Sequence, residues 1–420
     1  MQNTFCRFVV RFATCIYLIA SMPANEPAAS VIPPLAIPAL SLAAFGSAIS
    51  LRVTDPLLPR LASEFDMSLG SVSYVITAFS IAYGFSQLFF GPLGDRFGKY
   101  LVIAWACVAC TVTALLCALA PNYPLLIVAR LLAGATAAAI VPLSMAWIGD
   151  VVPYDQRQPV LAQFLIGQIV GISAGVLFGG LAGDYFSWRI PFFGISLCFV
   201  LIALTLFSFN RRLPAYALTT HKAEGSALRR MINEFGQVLS RPWARVVLVT
   251  VFLEGGCLYG AFAFIASHLH RVHHLSLTNA ASLVMLFSLG GLLYASTSRR
   301  LVRKLGEKGL TRWGGIIVAT SFLTIGLAPS WQWAIPACFA SGMGFYMLHN
   351  TLQMNATQMA PERRGAAVSA FAACFFLGQS TGVGAAGLAV GYFGTGPVIA
   401  VGAIGVLLTA LTFSHLKSAT

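Results

Sequence analysis

Uncharged apolar runs constrain this chain more than any other feature. The stretch PLAIPALSLAAFGSAIS (34–50) carries no charge, and comparable runs recur to the C-terminus. A helix of roughly 20 apolar residues crosses a ~30 Å hydrocarbon core. Only 9% of the residues are charged, against about 25% in a soluble domain, so a water-facing surface cannot be built from them. In lipid each backbone N–H and C=O must be satisfied internally. The sequence therefore reads as an all-α membrane protein.

Reading the runs between polar breaks gives twelve spans, at 38–61, 71–91, 100–120, 125–148, 159–182 and 190–209, then 243–266, 279–298, 312–329, 332–358, 365–391 and 396–414. Lys and Arg set the orientation, because they accumulate in cytoplasmic loops. With the N-terminus inside, 21 of them fall on the cytoplasmic side and three (Arg60, Arg189, Arg271) on the other. The net charge of +13 thus follows the loops of one face, and no nucleic-acid partner is expected. Both termini are expected in the cytoplasm. The opening MQNTFCRFVVRFATCIYLIASMPANEP imitates a secretory signal. Cleavage there would invert every loop against the charge split, so residues 1–37 read as a cytoplasmic or interface-bound extension.

The nine cysteines all lie in apolar segments. Cys107 and Cys110 form a CxxC without a second ligand pair, so they read as small packing residues and no metal or cofactor is expected.

Residues 210–242 separate six spans (38–209) from six (243–414), with a short tail at 415–420. Within the separator, Leu228, Met231, Ile232, Phe235 and Leu239 follow helical spacing, with Arg229 and Arg230 off that stripe. This predicts an amphipathic helix lying on the membrane surface. The halves also repeat. An offset of 208 lays LAP at 119–121 over LAP at 327–329, Gly98 over Gly306, Gly134 over Gly342 and Pro153 over Pro361. After a slip of three, GQIVG at 167–171 matches GQSTG at 378–382. A 6+6 repeat with a central loop is an architecture of secondary transporters, whose site lies between the halves near the midplane.

At this point the motifs resemble a known family. GPLGDRFGKY after span 2 is similar to the G-x-L-x-D-R-x-G-[RK] signature of the major facilitator superfamily. LLIVARLLAGATAAA resembles its fourth-span motif, and DPLLP in span 1 resembles the D-x-x-LP of the twelve-span drug:proton antiporter branch. GQIVGISAGVLFGG followed by WRIPF looks like the fifth-span motif of proton-coupled exporters, with Val176 where that motif has proline. The resemblance implies a transporter fold of two six-helix bundles. It also implies that Gly91, Asp95, Arg96, Gly98 and Lys99 form a loop that latches one access state. Asp95 and Arg96 are expected to pair or to cap neighbouring helix ends. The matching loop RRLVRKLGEKG after span 8 carries Arg303 where Asp95 would be, so only the first half holds a complete latch.

Charges inside the spans mark the candidate site, since one left alone at mid-bilayer costs about 2.5–3.5 kcal/mol on the insertion scale. At 1.5 Å per residue, Arg52 lies roughly 20 Å into span 1 and Asp55 about a turn further. Arg130 falls at a depth similar to Asp55, and Glu254 near Arg52. Asp55 is the first candidate for a proton-binding carboxylate, with Arg130 tuning it. Glu254 is the second, and could also attract a cationic substrate. Structural pairing, Arg52 with Asp55 and Arg130 with Glu254, is the other reading. His349, Asn350 and Gln353 make span 10 unusually polar and would suit substrate hydroxyls or amides, or hydrogen bonds between helices. His268, His270, His273 and His274 read as a solvated loop after span 7.

The expected function is proton-driven export of a drug, sugar or metabolite by a monomer in a bacterial inner membrane. A proton-coupled importer on the same fold is the second reading, because motifs constrain fold better than direction. An intramembrane enzyme would need a catalytic cluster, and no HExxH or Walker sequence is present.

Overall fold

The computed structural model describes residues 35–218 and 227–419. The extension expected over residues 1–37 lies, up to residue 34, outside the described residues, as do the side chains of Leu228, Arg229, Arg230 and Met231. Among the described residues the regular elements are helices, and nine are long and apolar enough to cross a membrane. One of these, Leu277–Leu327, is two spans fused across Gly306, which takes φ +61°. Ala36–Arg52 is a shorter apolar helix, and the polar span 10 is Ala334–Gln358. The arrangement is consistent with twelve spans.

Spans 1, 4 and 7 are broken mid-span, and span 2 near its start at Ser73; sequence explains the first two. Span 1 stops at Arg52 and resumes at Leu58, because Pro56 has no N–H to continue the ladder. Span 4 runs Tyr123–Ala137 and Ile140–Val151, with Pro142 depriving Ala138 of its donor. Span 7 divides into Pro242–Phe262 and Ile265–His273. The remaining spans are Leu69–Val72 with Tyr74–Phe97, Lys99–Leu119, Tyr154–Tyr185, Ile190–Asn210, Arg364–Phe393 and Thr395–Ala419.

Two expectations need correction. The histidine stretch is not a solvated loop: the helix continues to His273, His268 is buried at 3% exposure, and its Nδ1 lies 2.8 Å from Thr395 Oγ1. The basic stretch 298–312 is not an open loop either, since the helix runs through it to either side of Gly306. In the separator a helix spans Ala227–Leu239. Phe235 packs against the buried core while Ile232 and Leu239 remain exposed.

Glycines set the distance between helices, and they do so identically in the two halves. A Cβ on Gly134 would strike the Phe79 carbonyl, and one on Gly342 the Phe287 carbonyl. Both members of the second pair lie 208 residues after the first. Gly167 and Gly171 rest on the carbonyls of Ser41 and Phe45, as Gly378 and Gly382 rest on those of Phe252 and Gly256, an offset of 211. Gly98 and Gly306 share a positive φ, +90° and +61°, where a side chain would strain the backbone. In this way spans 2 and 4, 1 and 5, 8 and 10, and 7 and 11 form close pairs inside their own halves.

Between the halves, span 2 packs on span 11 and span 5 on span 8. The bonds described between them run from the bundle's middle to the end opposite the termini, hereafter the far end. There Gly70 meets the Gly387 backbone, and Gly180 meets Leu277 and Ala281. Both Asp184 carboxylate oxygens accept backbone N–H bonds at the start of span 8, from Leu277 (2.9 Å) and Thr278 (2.7 Å). Ser380 Oγ donates to the Thr77 carbonyl at 3.1 Å. The structure is closed at the far end.

Gly134→Val and Gly342→Val should each lower the thermal midpoint of the detergent-purified protein, with overpacking destabilising by about 1–3 kcal/mol. Gly149→Ala, where a Cβ meets nothing within 4 Å, should leave it unchanged. Equal midpoints across the three variants would contradict the close helix pairing.

Candidate functional site

The unwound stretch between the two parts of span 1 holds Asp55. Its backbone N–H bonds to the Arg52 carbonyl at 3.3 Å, and Arg52 Nη1 lies 3.5 Å from Asp55 Oδ2. Both side chains are almost fully buried, and neither carboxylate oxygen of Asp55 accepts a hydrogen bond among the described residues. An interrupted membrane helix exposes backbone polarity where an ion or substrate can use it. The exporter-like glycines of span 5 lie directly against this stretch, Gly175 on Ile49 and Gly179 on Val53 and Pro56. Val176, one residue away, is buried in the core of the other half.

Arg52 reaches across the midline. Its Nη2 donates to Gln379 Oε1 at 3.2 Å, and Gln379 Nε2 donates back to Ser80 Oγ at 2.8 Å. The guanidinium also stacks 3.9 Å from the Tyr259 ring centroid. Thus one cation on span 1 is held by Asp55 from its own half and by spans 11 and 7 from the other. Gln379, Tyr259 and Ser80 were not among the residues singled out from sequence. Gln379 stood only as a repeat marker inside GQSTG.

Arg130 makes its hydrogen bonds within its own half. Its Nη1 donates to Ser50 O at 2.9 Å and its Nε to Val75 O at 3.3 Å, and its guanidinium lies over Phe79 at 4.2 Å. It forms no ion pair with Asp55 or with Glu254 among the described residues. It ties spans 1, 2 and 4 together, bonding the Ser50 carbonyl near the break in span 1 and the Val75 carbonyl of span 2.

Glu254 pairs with His349 instead, Oε2 to Nδ1 at 3.0 Å. Its other oxygen accepts no hydrogen bond, although the residue is fully buried. His349 sits among Phe345, Phe371 and Phe375, with ring centroids 5.0, 5.5 and 4.6 Å away. Tyr259 touches Phe345 and Phe375, so an aromatic path joins Arg52–Asp55 to His349–Glu254. Asn350 is half-buried. Gln353 is half-buried and joins neither centre.

The loop after span 2 also differs. Asp95 pairs not with Arg96 but with Lys99, at 2.9 Å, and Lys99 reaches Asp150 at the end of span 4, at 2.8 Å. Arg96 is exposed and stacks on Phe97. Gly98 makes the turn, Gly94 packs on Leu143, and Gly91 faces open space. In this structure the loop binds within its own half.

Two helical bundles, pinned across a charged midline and joined at the far end, are the architecture of a multi-pass membrane transporter. The chain belongs to the major facilitator superfamily, whose model matches residues 40–383. It is 25% identical over 345 residues to the uncharacterized MFS-type transporter YceJ of Bacillus subtilis, covering 79% of this chain and 83% of that one. It is 25% identical over 328 residues to the bicyclomycin resistance protein homolog of Haemophilus influenzae, covering 75% and 79%. Among solved structures, a bacterial homolog of the human lysosomal transporter Spinster, inward-facing and unoccupied, superposes with a TM-score of 0.67 at 17% identity, covering 93% of this chain and 96% of that one. The protein is a transporter, not an enzyme.

Asp184 is partly exposed, so its two N–H bonds are expected to hold the far end shut by only about 1 kcal/mol. Asp184→Ala should then raise the far-open population about fivefold. Spin labels at Arg60 and Asn279 would report this as a new, longer distance. An unchanged distribution would show that the bonds do not hold the end.

Proposed function

We propose that this transporter exports a small molecule, a drug, sugar or metabolite, in exchange for protons by alternating access, with Asp55 as the proton-binding carboxylate. The observation that carries the reading is the division of Arg52's contacts between the two halves. Parting the halves removes Gln379 and Tyr259 from Arg52 and changes how the cation meets Asp55. A nearby cation favours the charged carboxylate and burial the neutral one, so the motion loads or releases a proton. Arg52 is the coupling cation and Arg130 the residue that fixes the frame around it. Glu254 with His349 forms the second acidic centre, facing the substrate with Asn350 and Gln353.

Residues 38–209 and 243–414 move as two bundles joined by 210–242. The charge split and the bacterial relatives support cytoplasmic termini in a bacterial inner membrane, so the closed far end is the outer one and the described state opens inward. Gly91, Asp95, Arg96, Gly98 and Lys99 latch the opposite, outward-open state when the cytoplasmic ends meet. Export is supported by the glycines of span 5 beside Asp55 and by the resistance function in the name of the Haemophilus relative.

Purified protein in sealed liposomes with an imposed pH gradient and an internal pH dye tests this. A panel of cationic drugs, sugars and organic acids should include one that drives proton flux in the wild type. Asp55→Asn should abolish that flux at equal incorporation, and reversing the gradient should give the sign of antiport. Uphill transport by Asp55→Asn would overturn the assignment, and co-directional flux would favour import.

A further inference from the structure

An open groove of about 430 Å³ lies at the terminal end of the bundle, far from the charged midline. It runs between the start of span 9 and the end of span 12, lined by Lys308, Arg312, Trp313, Leu411, Ser414 and His415 among others. Ser414 Oγ donates to the Lys308 carbonyl at 3.3 Å, which fixes the two helices at its floor.

The groove's charge is lopsided. Lys308 and Arg312 are four apart, so they share one helix face. Both are exposed, and neither has an ion-pair partner among the described residues. The one nearby acid, Glu307, is taken by Lys417 and by Asn355 Nδ2. Span 9 begins just after Gly306, so Lys308 sits at the positive end of that helix's dipole. Arg299, Arg300, Arg303 and Lys304 add to the field from the preceding span. Deeper along the groove the wall turns apolar: Trp313 is 51% exposed and Leu411 37%. Cations at the headgroup level above an aromatic at the interface match an amphiphile that is anionic at one end and apolar at the other.

We propose that this groove binds an anionic phospholipid of the adjacent leaflet. Its phosphate lies between Lys308 and Arg312, and an acyl chain lies along Trp313 and Leu411. The proposal does not depend on the transport direction or on Asp55.

Native mass spectrometry of the full chain, titrated with phosphatidylglycerol or phosphatidylcholine in detergent, tests it. The wild type should retain phosphatidylglycerol in preference. Lys308→Gln with Arg312→Gln should weaken that binding about 30-fold and leave phosphatidylcholine retention unchanged. Arg299→Gln with Arg300→Gln removes as much charge outside the groove and should weaken binding far less, by no more than a few-fold. Equal loss in both double variants would replace the site by diffuse attraction to a basic surface, and no loss in the groove variant would overturn it outright. Displacement of the lipid by equimolar inorganic phosphate would reassign the groove to a free anion. Brominated acyl chains should quench a fluorescence component that Trp313→Phe removes. Absence of that quenching would contradict the seating of the chain.

Discussion

A charge inside a hydrocarbon-embedded bundle must find a partner, and much of this architecture follows from how the chain partners four of them. Arg130 finds backbone carbonyls and an aromatic face within its own half, and the result is a rigid corner. Glu254 finds His349 across spans 7 and 10, again within one half. Arg52 and Asp55 satisfy each other only partly, at 3.5 Å, and Arg52 Nη2 and the guanidinium face find their partners, Gln379 and Tyr259, in the opposite half. A pair completed only by the other bundle makes the midline sensitive to the relative position of the bundles. That sensitivity is what separates a transporter core from a merely packed one, and the break at Pro56 creates room for it.

Repetition carries the same logic to the bundle's terminal end. The positive-φ glycines 98 and 306 are each followed by a charged residue that ties helices of its own half. Lys99 bridges Asp95 and Asp150; Glu307 takes Lys417 and Asn355. The position and the task are retained while the sign is reversed. The loss of the acid noted at Arg303 therefore does not leave the second half untied. The tie is rebuilt from an acid on span 9 and a cation at the chain's C-terminal end.

How much of this could be read from sequence depends on the dimension in question. Apolar length gave the spans and the 208-residue offset gave the halves, because both are properties along the chain. Counting 1.5 Å per residue ordered Arg52, Asp55, Arg130 and Glu254 along their helices, but position along a helix says nothing about the direction a side chain takes around it. Of the alternatives left open, the Arg130–Glu254 pair does not form among the described residues, and Glu254 pairs with His349 instead. Backbone carbonyls leave no mark in side-chain identity, and His349 was recognised as polar without a way to turn it toward Glu254. Gln379 and Asp184 escaped for a related reason: each matters only through a contact with the other half. The histidine stretch misled in the opposite sense, since polar residues near a span's end looked like the end itself, whereas the helix continues until His274 adopts a left-handed conformation.

The far-end closure has a consequence of its own. Where Gly70 meets Gly387 and Gly180 meets Leu277, the surfaces in contact are largely main chain. Closing such a joint freezes few side-chain rotamers, so little conformational entropy is surrendered on contact and little is regained on separation. The faces are smooth, and their register is fixed by the glycine positions rather than by interlocking side chains. Such a joint can open and shut many times without repacking. While shut it leaves little room for the water file along which protons would otherwise leak.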